Sequence, residues 1–257
     1  MKREPLRNLL DFAVEVAWRA GRVTLGYFQT GITAEFKADA TPVTAADRGA
    51  EQLARQLIEA RFPKDGIMGE EFGNTRPDAV RRWILDPIDG TKSFVQGVPL
   101  YGVLVALEEA GEPVLGVIHF PALSETVFAA RGEGCWWNGR PARVSEVTRL
   151  DEAVLLTTDV DNMMARGYGD SWNQLCRRSR LVRNWGDCYG HALVATGRAE
   201  AMVDPELEAW DAAPLLPIVE EAGGVFTDFQ GNCTHQGGQA ISTNTALAAE
   251  IRSVLGE

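Results

Sequence analysis

The chain has 257 residues, 45% apolar and 24% charged, and its 25 basic and 36 acidic side chains give a formal net charge of −11. That length and mix suit a globular protein of one large domain or two intimate lobes. The acidic surplus excludes the basic face a nucleic-acid backbone requires, and no apolar run approaches the roughly 20 residues that cross a bilayer.

The first residues, Met1 to Phe12, are charged throughout and lack the apolar stretch of a leader, so a cytoplasmic location is expected. Apolar residues at Leu6, Leu9, Leu10, Ala13, Val14, Ala17, Ala20 and Tyr27 mark one face of a long helix over Leu6 to Phe28. A second helix is predicted from Thr44, with Asp47 as the acidic half of a capping box and a buried stripe of Ala46, Ala50, Leu53, Leu57 and Ile58.

Strand patterns follow at Trp83 to Leu85, Tyr101 to Leu107, Val114 to Phe120 and Thr126 to Ala130, with a turn over Ala110 to Pro113. Beyond Ser145, strands near Ala153 to Thr158, Leu181 to Arg183, Ala199 to Val203 and Val225 to Asp228 alternate with helices. Those helices are expected near Ser171 to Arg178, Asp187 to Thr196, Trp210 to Ala222 and Thr245 to Leu255, and Gly223-Gly224 reads as a helix stop. The pattern is mixed α/β with hairpins, divided near residue 145 into a 1–145 lobe and a 146–257 lobe that pack tightly.

Cys135, Cys176, Cys188 and Cys233 form no CxxC pair, and His119, His191 and His235 are isolated, so the chemistry is expected to rest on carboxylates. The informative run is Asp86-Pro87-Ile88-Asp89-Gly90-Thr91. An apolar strand delivers two acids three positions apart, with Pro87 expected to break the strand and turn both toward one point. Hard oxygen donors in such an arrangement suit Mg²⁺, and the N–H groups of Gly90-Thr91 at a helix start can face a phosphate. The plainer alternative is that Asp86 and Asp89 cap a turn. Upstream, Gly69-Glu70-Glu71 sets adjacent acids beside a strand end; downstream, Asp211 opens an apolar helix, a place where an acid is more often a cap than a metal ligand.

Together with Lys37-Ala38-Asp39-Ala40-Thr41-Pro42-Val43-Thr44, Asp47, Trp210-Asp211 and Glu221-Ala222-Gly223-Gly224, these segments resemble the inositol monophosphatase family over nearly the whole chain. The resemblance implies a layered αβαβα sandwich of the sugar-phosphatase type, a homodimer, and two to three Mg²⁺ ions per site. Glu70, Asp86 and the Ile88 carbonyl would hold one ion and Asp86, Asp89 and Asp211 a second, with a third leaning on Glu70. It further implies that Asp47 and Thr91 form a hydrogen-bonded pair that readies the attacking water, with Glu70 close by, so that no phosphoenzyme forms. Glu71 would support the site from behind or remain a solvated acid, and Lys37 would reach the phosphate or remain exposed.

Substrate choice falls to the second half. Asp187 stands after Gly186 where the family usually has a small hydroxyl residue or alanine, and Asp204 matches a family position that holds an acid against substrate. Two acids favour a cationic leaving group. The run Thr91 to Gly102, with Ser93 where inositol-specific members usually have asparagine, is similar to the histidinol-phosphate phosphatase branch. The expected reaction is therefore hydrolysis of L-histidinol phosphate, a step of histidine biosynthesis, with Gly90, Thr91, Arg183, Asp187 and Asp204 contacting substrate. Competing readings are an Arg183–Asp187 salt bridge with Asp187 as a helix cap, Arg183 facing a partner subunit, and Trp185 and Tyr189 as core or pocket-wall aromatics.

Inositol monophosphate, fructose 1,6-bisphosphate and 3′-phosphoadenosine 5′-phosphate are the rival esters. A haloacid-dehalogenase-like phosphatase would need one residue between its two acids, where this chain has Pro87 and Ile88. A phosphate sensor without turnover would be expected to have lost at least one metal carboxylate or the Thr91 and Asp47 pair, all of which are present.

Overall fold

The computed structural model describes residues 4–36 and 42–256; Lys37 and Ala38 to Thr41 lie outside the described residues. The chain opens with α1 (Leu6–Leu25), the short strands β1 (Glu35–Phe36) and β2 (Pro42–Val43), and α2 (Ala45–Arg61). It continues through β3 (Gly66–Gly69), β4 (Gly73–Thr75), β5 (Arg81–Asp89), α3 (Thr91–Val95), β6 (Gly102–Glu109), β7 (Glu112–Phe120), β8 (Glu125–Ala130), β9 (Gly134–Trp137) and β10 (Arg140–Pro141). The second half comprises β11 (Val154–Leu156), α4 (Val160–Ala165), α5 (Gly169–Arg178), β12 (Leu181–Arg183), α6 (Asp187–Ala195) and β13 (Ala201–Asp204), then α7 (Ala209–Glu221), β14 (Val225–Thr227), β15 (Ala240–Thr243) and α8 (Ala248–Leu255).

Two mixed sheets carry the architecture. The larger has the order β10-β9-β8-β7-β6-β5-β3-β4, with only the β3–β5 pair parallel; the smaller has the order β12-β11-β13-β15-β14. Strand alternation assigns the faces. Trp83, Leu85, Val103, Val105 and Val117 bury one face of the large sheet under α1 and α2, while Leu104 and Ile118 meet α6 and α7 on the other. In the small sheet Met202 packs with α6, whereas Ala201 and Val203 join Trp172 of α5 and Ile251 of α8. The layers are therefore helix, sheet, helix, sheet, helix, as the resemblance implies.

Three local features aim the site. At the N-terminus of α2, Thr44 caps the helix through Ala46 N–H at 3.1 Å, and Asp47 closes the capping box by accepting Thr44 N–H at 2.8 Å. Across the central layer α7 lies directly on β7, because a Cβ at Gly116 would stand 2.0 Å from the Pro214 carbonyl oxygen. Glycine there lets the helix that carries Asp211 approach the sheet.

The third feature corrects an expectation. Pro87 does not end its strand; β5 continues to Asp89, and its register against β6 slips between Asp86, opposite Leu104, and Asp89, opposite Gly102. Pro87 and Ile88 thus sit in a bulge, which tolerates proline's missing donor and changes the side on which the following residue emerges. The expected stripe on α2 is also shifted: Ala54 and Glu51 are buried, whereas Leu53 and Leu57 are half-buried. Among the described residues no helix is long and apolar enough to cross a membrane.

Candidate active site

Carboxylate oxygens of Asp86, Asp89 and Asp211 come within 4.8 Å of one another where the end of β5 meets the start of α7. Burial is the first cause that pushes Asp86 and Asp211 well above the usual carboxylate range, with mutual charge repulsion and the charge of Glu70 added. Asp89 is raised to about 6 by burial, opposed by its hydrogen bonds from the Cys188 thiol and the Cys188 N–H. Glu70 stands outside the tight trio yet near enough for its charge to act on all three. Asp211 accepts the N–H of Glu208, the actual cap of α7, at 2.9 Å, which fixes one oxygen and turns the carboxylate toward Asp86.

Asp47 follows Ala46, which packs against Ile88 of β5, and its pKa is raised to about 6, mainly by burial. Its Oδ2 takes both the N–H and the hydroxyl of Thr44, at 2.8 and 2.6 Å, and its buried Oδ1 has no partner. The implied Asp47–Thr91 hydrogen bond is not formed. Thr91 instead donates its hydroxyl to the Ile88 carbonyl at 2.9 Å, the acceptor three residues back at the start of α3, while Asp47 is committed to its cap. Ile88 N–H in turn donates to Asp86 at 2.9 Å.

These residues fit a divalent cation. The donors are all hard oxygens, and the acids repel one another in a low-dielectric pocket that leaves their charge uncompensated. Asp86, Asp89 and Asp211 are the acids gathered closely enough to hold it, with the charge of Glu70 acting on all three.

Near Asp89 stands a second acidic set. Asp187 lies against Gly90, where an added Cβ would come 3.0 Å from its carboxylate, and Gly90 also needs glycine for its φ of +84°. Asp187 N–H donates to Thr158 Oγ1 at 2.9 Å, and that hydroxyl donates to buried Asp204 at 2.6 Å. Burial raises both acids to about 7, with the charge of Asp89 added at Asp187 and that of Asp187 added at Asp204. Asp187 has a left-handed φ of +52°.

Other expectations are revised. Asp187 does not cap α6, whose cap is Gly186, and among the ion pairs of the described residues none joins it to exposed Arg183, which donates to the Val182 carbonyl at 2.7 Å. Trp185 is 39% exposed rather than core, whereas Tyr189 packs edge-on against Phe120. Two residues that bind the site together were missed, Glu51 and Thr158. Glu51 had a readable signal, a charged residue one turn after Asp47 on the same helix face.

The sequence matches the inositol monophosphatase family over residues 5–256. It is 46% identical over 249 residues to a histidinol-phosphatase of Chlorobaculum parvum, covering 96% of each chain. A histidinol-phosphatase of Mycobacterium tuberculosis is 39% identical, over 94% of this chain and 95% of the relative. Among solved structures, the extragenic suppressor protein suhB of Bartonella henselae superposes with a TM-score of 0.91 at 30% identity, over 97% of this chain and 99% of that one. Fold and sequence agree that the chain belongs to the inositol monophosphatase family.

Proposed function

We propose that this phosphatase hydrolyses L-histidinol phosphate to L-histidinol and phosphate, using Mg²⁺ held by Glu70, Asp86, the Ile88 carbonyl, Asp89 and Asp211. When bound, the ions neutralise the ester's phosphoryl oxygens and lower the pKa of water near phosphorus. The chain's own residues do the rest. The N–H groups of Gly90 and Thr91 donate to phosphate oxygens. Thr91 donates its O–H in a hydrogen bond to the Ile88 carbonyl, so its hydroxyl oxygen presents lone pairs to the attacking water. Asp47 Oδ1 and Glu70 are the acceptors for that water's protons. Attack on phosphorus breaks the bond to the ester oxygen, which leaves as the alcohol after taking a proton from solvent.

The observation that carries the substrate choice is the second acidic set, Asp187 and Asp204, held together by Thr158 next to Gly90. A polyol leaving group has no charge for buried Asp204 and half-buried Asp187 to pair with; histidinol carries an amine and an imidazole. That the similar curated proteins include histidinol-phosphatases supports the same choice. The test is a side-by-side rate panel with histidinol phosphate, inositol 1-phosphate, fructose 1,6-bisphosphate and 3′-phosphoadenosine 5′-phosphate at saturating Mg²⁺. The expected result is the highest kcat/KM for histidinol phosphate; a higher value for inositol 1-phosphate would assign this chain to the inositol branch.

A further inference from the structure

Glu51 does no chemistry in the mechanism above, yet it is a fully buried acid one helical turn beyond Asp47. Its side chain has no exposed surface. Its Oε2 accepts the N–H of Glu71 at 2.8 Å, and its Oε1 accepts the N–H of Phe72 at 3.2 Å and Arg55 Nε at 2.7 Å. Arg55 then reaches across the same turn, donating to Thr75 Oγ1 at 3.0 Å and to the Gly73 carbonyl. The segment clamped in this way is the β3–β4 turn, whose first residue past the strand is Glu70, itself tied to β5 by its N–H to the Leu85 carbonyl at 3.2 Å.

The approach leaves no slack. A Cβ on Gly69 would fall 2.0 Å from Glu51 Oε1, so the carboxylate rests on the backbone immediately before Glu70. With two backbone donors and a guanidinium on its oxygens, Glu51 is engaged away from the cation site.

We infer that Glu51, oriented by Arg55, is a positioning residue that fixes the Glu70 carboxylate for the metal through the backbone of the 69–72 turn, so that α2 sets both Asp47 and Glu70. The inference rests on the reading of Glu70 as a metal-holding acid. Second-layer hydrogen bonds of this kind change metal affinity or activity by about 10- to 100-fold when removed. Replacing Glu51 with glutamine keeps the volume but turns an amide N–H₂ toward donors, loosening the turn without opening a cavity.

The experiment is a double-mutant cycle read by calorimetric titration of Mg²⁺ into chelator-stripped protein, with Glu51→Gln, Glu70→Gln and the double variant, each checked for folding by circular dichroism. Glu51→Gln is expected to weaken Mg²⁺ binding about 10-fold or more, and to cost nothing further once Glu70 is already glutamine. Arg55→Lys, which removes the fork from the turn, should show a smaller loss in the same direction and serves as the second variant should Glu51→Gln fail to fold. Unchanged affinity in Glu51→Gln or Arg55→Lys beside a weakened Glu70→Gln would overturn the inference alone, as would losses that simply multiply. Unchanged affinity in Glu70→Gln would overturn the reading of Glu70 and the inference with it.

Discussion

At Asp187 the backbone sits at a φ of +52°, a conformation that costs a non-glycine residue about 1–3 kcal/mol and is found where a site dictates it. Asparagine accepts the same backbone and the same volume, so Asp187→Asn removes charge with little other change. If the carboxylate meets the cationic part of the substrate, KM for histidinol phosphate should rise about 10-fold or more, the loss of one charge-assisted hydrogen bond, while KM for inositol 1-phosphate stays within about twofold. Equal effects on both esters, measured by phosphate release, would make Asp187 a structural acid. Asp187 was recognisable in the sequence because it stands where the family has a small residue. Its partner Thr158 was not, because a threonine at the end of a strand carries no mark of the acids it joins.

Among the elements, α2 shows how a local signal becomes a functional one. Thr44 was readable as a cap from the Thr-x-x-Asp pattern, and the structure adds that the same hydroxyl fixes Asp47 at 2.6 Å. Thr44→Ala should therefore cost about 1 kcal/mol of stability in a denaturant melt, the usual loss of a cap. It should lower kcat by up to about 100-fold, since a misplaced group at a reacting centre is penalised steeply. A stability loss with full kcat would separate the cap from the chemistry. The strand carrying Asp86 and Asp89 was legible as a strand, but its bulge was not: proline reads as a stop, and only the register against β6 shows that the strand continues. For the same reason the Asp47–Thr91 bond was misjudged, since which acceptor a hydroxyl chooses depends on the turn that follows the bulge.

For the molecule as a whole, the mixed α/β elements were legible because strand periodicity and helix faces are local, whereas the αβαβα layering came from family resemblance. The gathering of distant acids came from family resemblance, since no pattern within one segment reports which other segment it will meet. That gathering leaves a thermodynamic signature. Asp89, Asp187 and Asp204 are raised from 3.8 to about 6, 7 and 7, so the folded state holds their protons more tightly than the unfolded chain. Their contribution to stability is full below about pH 4 and is lost as pH rises through about 6 to 7. Metal-free protein should accordingly melt at a lower temperature at about pH 8 than at about pH 5, and saturating Mg²⁺ should raise the midpoint more at the higher pH, where the acids are ionised. A midpoint that rises steadily with pH in the absence of metal would contradict this electrostatic picture.

The central claim is that acids from β5, the β3–β4 turn and α7 together hold divalent ions beside the phosphate. Anomalous diffraction from crystals soaked with Mn²⁺ and inorganic phosphate tests it most directly. The account predicts one manganese peak among Asp86, Asp89 and Asp211 and a second beside Glu70, Asp86 and the Ile88 carbonyl, with the phosphate at Gly90-Thr91. Manganese bound elsewhere, or a phosphate seated away from that trio, would contradict it.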